Sequence, residues 1–375
     1  PWPGSETAMR VALDITPMLG PRTGIGTYTA HLAVGVLATL GADDLVPVAL
    51  GRQPVAGLAA HGLEGTRVVR RGIPARILHR LWQRVPFPTA ETLVGRVDVW
   101  HATNYVAPPT RRAGVVLTVH DLTYLRHPQF VSASTAAYRR LVPAAIARGA
   151  VVCTDSRAVA AEVIQEYAVP ADRVHVARLG VDPVWFDEPE PAAGGFQVPT
   201  EPYLLALGTL EPRKNLAVLL EAYRLAERAG RPLPTLVLAG APGWGPPLEL
   251  AGLPAQRVRV TGHLPFAAVH ALVHGAGAMV FPSLYEGFGL PPLEALASGT
   301  PVLASDLPVT REVLGEQAAY LPDPRSPEGV LDALTETLAA PVGTPESRRA
   351  HARGFRWEDC VNATLAAYRH AAEDR

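Results

Sequence analysis

The sequence predicts an α/β protein of two domains, each built on a doubly wound parallel β-sheet. Short apolar segments of strand length alternate with helical patterns along most of the 375 residues, which is typical of parallel strands joined by helices. One segment, at 184–202, is rich in Pro, Glu and Gly and lacks hydrophobic periodicity, as expected of a linker. We therefore predict a first domain at 9–183 and a second at 203–354, two Rossmann-like units facing each other across a cleft.

The two ends of the chain fall outside these domains. Residues 1–8 precede Met9 and are interpreted as an expression remnant. Residues 355–375 carry apolar side chains at helical spacing, among them Val361 and Leu365. They are predicted to form a helix that bridges back to the first domain.

The overall composition excludes some classes of function. A net charge of −1 and a pI near 7.0 provide no broad basic surface for nucleic acid. No apolar stretch approaches the roughly 18 residues of a membrane span, and no secretory leader precedes the first strand. Cys153 and Cys360 lie far apart and are expected to be buried free thiols. These observations indicate a cytoplasmic protein.

Polar residues follow several predicted strands of the first domain. Strands are expected at 9–15, 45–50, 97–102, 115–120, 150–154 and 174–177, and helices at 134–148 and 157–167. His101, Asn104, His120 and Asp121 then fall at the carboxyl ends of strands, where open α/β sheets bind ligands. We interpret His120 as a candidate active-site residue, with a hydrogen-bonded structural histidine as the alternative.

Gly24 and Gly26 lie at the turn from the first strand into a helix that runs to about residue 40. Glycines in such a turn let a ligand approach the backbone closely. The spacing is not the dinucleotide-binding fingerprint, because Thr29 stands where that pattern requires its third glycine. Ligand contact and an ordinary turn are both open interpretations.

A cationic turn follows the first strand of the second domain. Strands are expected at 203–208, 235–240, 258–261, 278–281, 301–304 and 318–321. Arg213 and Lys214, the only lysine of the chain, lie between the first of these strands and a helix predicted to run to Arg228. Their charges could hold a diphosphate through charge-assisted hydrogen bonds. Two solvated charges at a helix start are the alternative.

Two glutamates flank a glycine-rich bend later in the same domain. The segment 281–302 reads as the end of a buried strand, a bend with Gly287 and Gly289, and a helix that starts at two prolines. Such a bend directs backbone N–H groups and the positive end of a helix dipole to one spot. Glu286 is placed to bind sugar hydroxyls, and Glu294, expected in the first helical turn, to bind a ribose. A partner of the helix dipole is the alternative for Glu294.

We expect no metal and no cofactor. His270 and His274 lie four residues apart on a predicted helix, but no glutamate follows His270 to complete a zinc-protease pattern. The chain also contains no Asp-x-Asp pair, which would supply carboxylates for a metal-bound diphosphate. Cationic side chains and backbone amides are left to hold such a group.

The segment 73–87 predicts a basic amphipathic helix. Its arginines recur every four residues, at Arg76, Arg80 and Arg84. The remaining surface carries the apolar residues Ile77, Leu78, Leu81, Trp82 and Val85. We favour a solvated basic edge on a helix packed against the sheet, and contact with an anionic membrane surface is the alternative.

Four of these features, in this order along the chain, resemble the retaining GT-B glycosyltransferases of group 1, family four. The segment from Glu286 to Glu294, continued by 295–302, resembles the Glu-x7-Glu motif of that family, and 208–215 resembles its diphosphate loop. Gly24 and Gly26 resemble its amino-terminal glycine turn, and His120 its active-site histidine. The resemblance covers nearly the whole chain and is closest to the mannosyl- and rhamnosyl-transferase branch. It implies the GT-B fold.

The resemblance also implies a role for each site residue. His120 and Glu286 would contact the transferred sugar, Glu294 the ribose, and Arg213 with Lys214 the diphosphate. The remaining substrate-binding residues that it implies are Gly24, Gly26, Thr209, His263, Leu264, Gly287, Phe288, Gly289 and Leu290. Thr209 stands where many members have an arginine, which moves more of the charge onto Arg213 and Lys214.

The expected activity is metal-independent transfer of a hexose to an acceptor hydroxyl, with retained anomeric configuration. GDP-mannose is the favoured donor, and the acceptor is a glycan, a lipid-linked sugar or a natural product. The sequence is compatible with two mechanisms. The acceptor could attack the sugar on the same face from which the diphosphate departs, or a covalent intermediate could form. The alternatives are a noncatalytic nucleotide-sugar-binding protein and a GT-B-fold phosphorylase or epimerase, in which Lys214 would be the only lysine for a pyridoxal phosphate.

Overall fold

The structure is a computed structural model that describes residues 9–19, 23–52, 62–63, 66–131, 135–190 and 196–374. The predicted expression remnant at 1–8 lies outside the described residues. The chain divides into two compact units, which we name unit 1 (residues 1–180 with 356–375) and unit 2 (residues 181–355).

Strands alternate with helices along the described part of the chain. The strands are β1 Val11–Asp14, β2 Leu45–Leu50, β3 Val69–Arg71, β4 Val99–Ala102, β5 Gly114–Val119, β6 Val151–Thr154, β7 Val174–Val176, β8 Tyr203–Leu207, β9 Thr235–Ala239, β10 Val258–Gly262, β11 Ala278–Phe281, β12 Val302–Ser305 and β13 Ala319–Leu321. The helices are α1 Gly24–Leu40, α2 Ala75–Trp82, α3 Ala90–Val94, α4 Thr123–Arg126, α5 Tyr138–Ala147, α6 Arg157–Tyr167, α7 Leu216–Arg228, α8 Phe266–Gly275, α9 Leu290–Ser298, α10 Pro308–Leu314, α11 Pro327–Ala339, α12 Pro345–Ala352 and α13 Trp357–Glu373.

In each unit the described strands form one parallel sheet. Unit 1 has the order β3-β2-β1-β4-β5-β6-β7, and unit 2 has the order β10-β9-β8-β11-β12-β13. Parallel sheets are covered by helices on both faces, and β1, β4 and β11 are accordingly buried along their whole length. The prediction of two doubly wound α/β domains is confirmed.

The strand order of each sheet reverses once, and this reversal marks where a ligand can bind. In unit 1 it lies between β1 and β4, and in unit 2 between β8 and β11. Connections leave in opposite directions at such a point, so that a crevice opens outside the carboxyl ends of the two strands. The segments that begin after Leu207 and after Phe281 therefore line the crevice of unit 2.

The C-terminal helix α13 belongs to unit 1 although it lies at the far end of the chain. Its Tyr368 hydroxyl lies 2.8 Å from Nδ1 of His101 on β4. A Cβ atom on Gly114 of β5 would lie 2.0 Å from the carbonyl oxygen of Ala371. Glycine at this position therefore lets the helix approach the sheet more closely than a side chain would permit.

Two predicted segments differ in the structure. The predicted helix at 134–148 is observed as α5, which begins at Tyr138. Part of the expected linker packs on unit 2, because the buried Trp185 ring lies 5.2 Å from the ring of His270. Residues 191–195 of that linker lie outside the described residues. The strand β3 was not predicted, since its short sequence Val-Arg-Arg has no apolar pattern.

The basic helix packs on the core of unit 1 through two of its five apolar residues. Leu78 and Trp82 are buried, and the Trp82 indole N–H donates to the carbonyl of Pro88 at 2.9 Å. The other three apolar side chains, Ile77, Leu81 and Val85, are exposed. The helix is also shorter than expected and ends at Trp82.

Candidate active site

Two cations and two carboxylates meet where the segments after β8 and β11 lie side by side. Lys214 Nζ lies 2.7 Å from Glu286 Oε1, and Arg213 Nη1 lies 2.7 Å from Glu286 Oε2. Nε and Nη2 of Arg213 donate to Oε1 of Glu211, at 3.0 and 2.7 Å. None of the four side chains exposes more than 16% of its surface. We name Glu211, Arg213, Lys214 and Glu286 the ionic cluster.

Glu286 is ionised in this cluster. Burial alone would raise the pKa of its carboxyl, but Arg213 and Lys214 lower it to about 2. The Lys214 ammonium also lies 4.5 Å from the centre of the Phe281 ring, a favourable position for a cation. The formal charges of the four side chains cancel, so each cation is already balanced by a carboxylate.

Arg213 also links the two segments that line the crevice. Its Nη1 donates to the carbonyl of Tyr285 at 2.8 Å, and its own carbonyl accepts from Leu284 N at 2.9 Å. The side-chain amide of Asn215 donates to the carbonyl of Pro282 at 3.1 Å. Arg213 and Lys214 occupy a single 3-10 turn, and α7 begins only at Leu216. The cations are thus fixed by the neighbouring segment as well as by their own.

The bend before α9 depends on a glycine that no other residue would replace easily. Gly289 caps the helix in the left-handed region, with φ of +93°, where side chains are disfavoured. The other predicted residues of the bend, Gly287, Phe288 and Leu290, are buried. Phe288 packs edge-on against Phe355, with 6.1 Å between ring centres.

The structure corrects the position of Glu294. Because α9 begins at Leu290, Glu294 is its fifth residue and lies in the second turn, not in the first. The effect of the helix dipole falls off within the first turn. Dipole compensation is therefore a weak explanation for this half-buried glutamate.

The remaining predicted residues of unit 2 lie at the same edge of the sheet. Thr209 follows β8 and is exposed, while the exposed His263 and the half-buried Leu264 follow β10. One strand, β9, separates β8 from β10. Their predicted substrate contacts stay predictions.

In unit 1, His120 follows β5 and is held from both sides of its ring. Its Nδ1 lies 2.8 Å from Oδ2 of Asp155, and its Nε2 lies 2.9 Å from the carbonyl of Thr103. A carbonyl only accepts, so Nε2 carries a hydrogen, and a second proton is held between Nδ1 and the carboxyl of Asp155. We name this arrangement the histidine pair.

The histidine pair is buried for the most part and surrounded by aromatic rings. The rings of Tyr28 and Tyr105 meet the His120 ring edge-on, with 5.2 and 5.6 Å between centres. Burial alone would lower the pKa of His120, but the Asp155 carboxyl beside it outweighs burial and raises that pKa above its ordinary value. Burial also raises the pKa of the Asp155 carboxyl, so the pair as a whole holds its proton more tightly than its two groups would in water.

The glycines of the amino-terminal turn lie inside α1. Gly24 is its first residue, and the amide of Gly26 donates to the Thr23 hydroxyl that caps the helix, at 3.2 Å. A Cβ on Gly26 would lie 3.1 Å from the carbonyl oxygen of Pro17, so glycine permits this close approach. The Gly26 amide is thus already used in the cap.

Sequence reasoning missed two residues of these clusters, Glu211 and Asp155. Glu211 lies two residues before Arg213 in the same loop, and its proximity to that cation was the available signal. Asp155 directly follows β6, just as His120 directly follows β5. Polar residues after adjacent parallel strands come to the same edge of the sheet, so that the pairing with His120 was within reach of that rule.

Three further expectations from the sequence concern metal binding, the two cysteines and membrane-spanning helices. His270 packs among Trp185 and Phe266, with rings 5.2 and 5.8 Å away. Within the described ranges, His, Cys, Asp and Glu side chains form no group of three or more that could hold a metal ion. Cys153 and Cys360 are buried free thiols, as predicted. None of the described helices is long and apolar enough to cross a membrane.

Solved structures with the same architecture identify the fold. Sucrose-phosphate synthase from Thermosynechococcus elongatus superposes with a TM-score of 0.73 at 19% identity, covering 98% of this chain and 100% of that one. HepE of Anabaena, solved in complex with UDP-glucose, superposes with a TM-score of 0.62 at 16% identity, covering 98% of both chains. The fold is the GT-B fold of glycosyltransferases.

Sequence comparisons then give the family. The family described as Glycosyl transferases group 1 matches residues 193–355, and Glycosyltransferase Family 4 matches residues 23–185. The O-antigen chain mannosyltransferase B of Escherichia coli is 30% identical over 284 residues, which cover 72% of this chain and 74% of that protein. The chain belongs to the group 1 glycosyltransferases, near their mannosyltransferase branch, and is an enzyme of that class.

Proposed function

We propose that the chain transfers a hexose from a nucleoside diphosphate sugar to an acceptor hydroxyl, with retained configuration and without a metal ion. The ionic cluster carries this proposal, because it holds two cations at the crevice of unit 2, beside the bend that begins α9. Mannose from GDP-mannose is favoured, since the Escherichia coli relative is named a mannosyltransferase. The proposed acceptor is a glycan, a lipid-linked sugar or a natural product, and the proposed location is the cytoplasm.

Donor binding in this proposal is an exchange of partners within the ionic cluster. Arg213 and Lys214 are balanced by Glu286, so a diphosphate competes with that carboxylate for the same two cations. Glu286 then turns its oxygens to hydroxyls of the sugar. The exchange avoids a buried cation without a counter-ion at any stage, which would be costly.

The same cations serve the chemical step. Departure of the diphosphate builds negative charge, and prearranged donors stabilise such charge by about 3 kcal/mol each. Arg213 and Lys214 provide the charge, and the amides of Gly287, Phe288 and Gly289 are proposed to bind the sugar. Glu294 is proposed to bind the ribose, and the turn with His263 and Leu264 the base.

His120 is proposed to contact the transferred sugar, where it would act through its fixed position and its positive charge. Both of its ring nitrogens are engaged, by Asp155 and by the Thr103 carbonyl. A ring held in this way has no free lone pair with which to act as a base. Asp155 is a positioning residue in this scheme, because it acts only through His120.

The test is the thermal unfolding of the full chain with UDP-, GDP-, ADP- and dTDP-sugars. A ligand at 100 times its Kd stabilises the folded state by roughly 2.7 kcal/mol, and we expect GDP-mannose to raise the Tm most. Lys214→Ala should abolish the shift, whereas Arg140→Ala, at an exposed position of unit 1, should keep it. The proposal is wrong if no nucleotide sugar changes the Tm of the unsubstituted chain.

Turnover of the identified donor tests the finer parts. We expect the rate to be unchanged by a chelator, and NMR of the product to show the anomeric configuration of the donor. Loss of activity on chelation that magnesium restores would refute metal independence, and an inverted product would refute retention.

Peripheral contact with a membrane through Arg76, Arg80 and Arg84 is a further part of the proposal. The three arginines are exposed in unit 1. Their charge would draw the enzyme to anionic lipids.

A further inference from the structure

The connection between β9 and β10 of unit 2 carries an exposed tryptophan. Trp244 exposes 42% of its surface. The other tryptophans in the described part of the chain are buried, with at most 8% exposed: Trp82, Trp100, Trp185 and Trp357. A single exposed apolar side chain is ordinary on a protein surface. Exposure alone therefore assigns no role to Trp244, and its position in the fold has to decide.

The backbone before Trp244 is fixed to the loop that follows β8. The amide of Leu210 donates to the carbonyl of Ala241 at 3.0 Å, and the amide of Gly243 donates to the carbonyl of Leu210 at 3.1 Å. A Cβ atom on Gly243 would lie 2.7 Å from the Leu210 carbonyl oxygen and 2.9 Å from the Thr209 methyl group. Glycine thus permits the two loops to touch directly before the tryptophan.

The backbone after Trp244 meets the same loop closer to the ionic cluster. Gly245 has φ of +108°, a conformation that side chains disfavour. Its Cβ atom would lie 2.5 Å from the ring of Pro212. Pro212 directly precedes Arg213. Trp244 is therefore held, from both sides, next to the loop that leads into the ionic cluster.

The connection is also tied to the turn that is proposed to hold the base. The amide of Gly240 donates to the carbonyl of Gly262 at 3.0 Å, and Gly262 directly precedes His263. In the sheet, β9 lies between β8 and β10. Neighbouring strands lie about 4.8 Å apart, so that the ends of β8 and β10 are about 10 Å apart. A nucleoside that joins the proposed diphosphate and base positions has to pass the loop of Trp244.

The chemistry of this loop favours a flat, uncharged group. Residues 239–248 contain no Asp, Glu, Lys, Arg or His, so the loop offers no charge to a phosphate. Three prolines restrict its backbone, at positions 242, 246 and 247. A loop that is already rigid loses little entropy when a ligand binds. The indole ring is the feature that the loop presents to a ligand.

We propose that the nucleobase of the donor stacks on the indole ring of Trp244 while the diphosphate engages Arg213 and Lys214. This inference rests on the proposed function and adds a binding residue that no motif indicated. Every base has a π face, so that stacking supplies affinity for purines and pyrimidines alike. Selection among the bases is then left to the turn with His263 and Leu264.

The experiment is calorimetric titration of the full chain with GDP, UDP and inorganic diphosphate. Trp244→Ala should weaken GDP binding by roughly 5- to 150-fold, the usual effect of removing one base–aromatic stack. UDP should lose less, because a pyrimidine stacks on a smaller area. Binding of inorganic diphosphate should not change, since Arg213 and Lys214 are intact. Trp244→Phe should keep most of the GDP affinity, because it keeps an aromatic ring.

The matched control is Leu250→Ala, which removes another exposed apolar side chain from the same connection. It should change none of the three affinities. Fluorescence gives an independent measurement, because a stacked guanine quenches an indole. GDP should quench the emission of the unsubstituted chain, and Trp244→Phe should remove most of that quenching while GDP still binds.

The outcomes separate this inference from the proposed transfer. An unsubstituted chain that binds no nucleoside diphosphate would refute both. Unchanged GDP and UDP affinities in Trp244→Ala would refute the stacking alone, and a raised acceptor KM in that variant would assign the ring to an acceptor sugar. An equal loss of GDP and inorganic diphosphate would also overturn the stacking, because it would show that Trp244 only shapes the neighbouring loop.

Discussion

The ionic cluster of unit 2 and the histidine pair of unit 1 each lie at the carboxyl-end edge of their own sheet, but they use that edge in different ways. Each gathers ionisable side chains from segments that follow parallel strands near the strand-order reversal. In the ionic cluster, two cations share the carboxylate of Glu286, and in the proposed function a diphosphate takes the place of that carboxylate. In the histidine pair, one ring is fixed by a carboxyl and a carbonyl among aromatic rings. We propose that the first exchanges partners when the donor binds, whereas the hydrogen bonds of the second hold a ring in one position.

The largest effect is expected at the centre of the ionic cluster. Glu286→Gln should lower kcat by roughly 10²- to 10³-fold, because the sugar loses a charged acceptor. Affinity for the nucleoside diphosphate should stay or rise, since the amide no longer competes for Arg213 and Lys214. Steady-state kinetics and calorimetric titration measure the two quantities.

Glu221→Gln is the matched control for this change, since Glu221 pairs with Arg224 and Arg228 on the surface of α7. It should leave both quantities unchanged. Equal loss of kcat and diphosphate affinity in Glu286→Gln would contradict the exchange of partners, as would an unaffected Lys214→Ala enzyme.

The next effect concerns the histidine pair. Asp155→Asn removes a hydrogen bond to a charged group, worth about 1.5–3 kcal/mol, and should lower kcat/KM roughly 10- to 100-fold. The pKa of His120 is raised by Asp155, so its removal should lower that pKa. The alkaline limb of the pH–rate profile should therefore move to lower pH.

A pH profile separates positioning from folding, since a merely unstable variant would lose activity without moving the limb. Asp172→Asn, at an exposed position of the same unit, should change neither rate nor profile. An unmoved limb in a folded Asp155→Asn enzyme would show that Asp155 does not set the charge of His120.

The third effect tests how unit 1 is assembled from two segments of the chain. Gly114→Ala should destabilise the folded state by about 1–3 kcal/mol, as overpacking does, because its Cβ meets the Ala371 carbonyl on α13. Gly72→Ala is the control, since its Cβ would have no atom within 4 Å. Urea unfolding of both variants measures the difference, and equal stability would deny the close packing of α13.

The smallest effect at neutral pH concerns His101, which is buried between Tyr368 and Thr118. Burial lowers the pKa of His101 to about 3. A depressed histidine pKa contributes stability that is present above about pH 6.5 and is lost as pH falls towards 3, by at most about 1.4 kcal/mol per pH unit. His101→Gln should flatten this acid loss in urea unfolding, whereas the exposed His263→Gln should not.

Much of the fold was predictable because buried parallel strands can be recognised from their local sequence. β2 and β11 are observed at the predicted bounds, since each is a continuous apolar run. β3 was missed because an edge strand of three residues with two arginines lacks that signal. Glu294 moved from the first turn to the second because α9 begins at Leu290, directly after the Gly289 cap and one residue before the predicted start at Pro291.

The candidate site was predictable in its members but not in its contacts. Motif and strand position indicated Arg213, Lys214 and Glu286, and the structure places a charged nitrogen of each cation 2.7 Å from a carboxylate oxygen of Glu286. That Glu286 balances both cations was not predictable, since Glu286 lies 72 residues after Lys214. Which charged residues pair at that separation depends on the order of the strands in the sheet.

The sequence by itself determined the two α/β domains, the family resemblance and the residues that carry charge at the strand ends. These properties reside in local apolar patterns and short motifs, which need no partner to be recognised. Only the tertiary structure decided which charges are paired, that Asp155 holds His120, and that Ile77 and Leu81 on α2 are exposed. Pairing and exposure depend on what lies across the sheet or beneath the helix, and a local pattern contains no information about either.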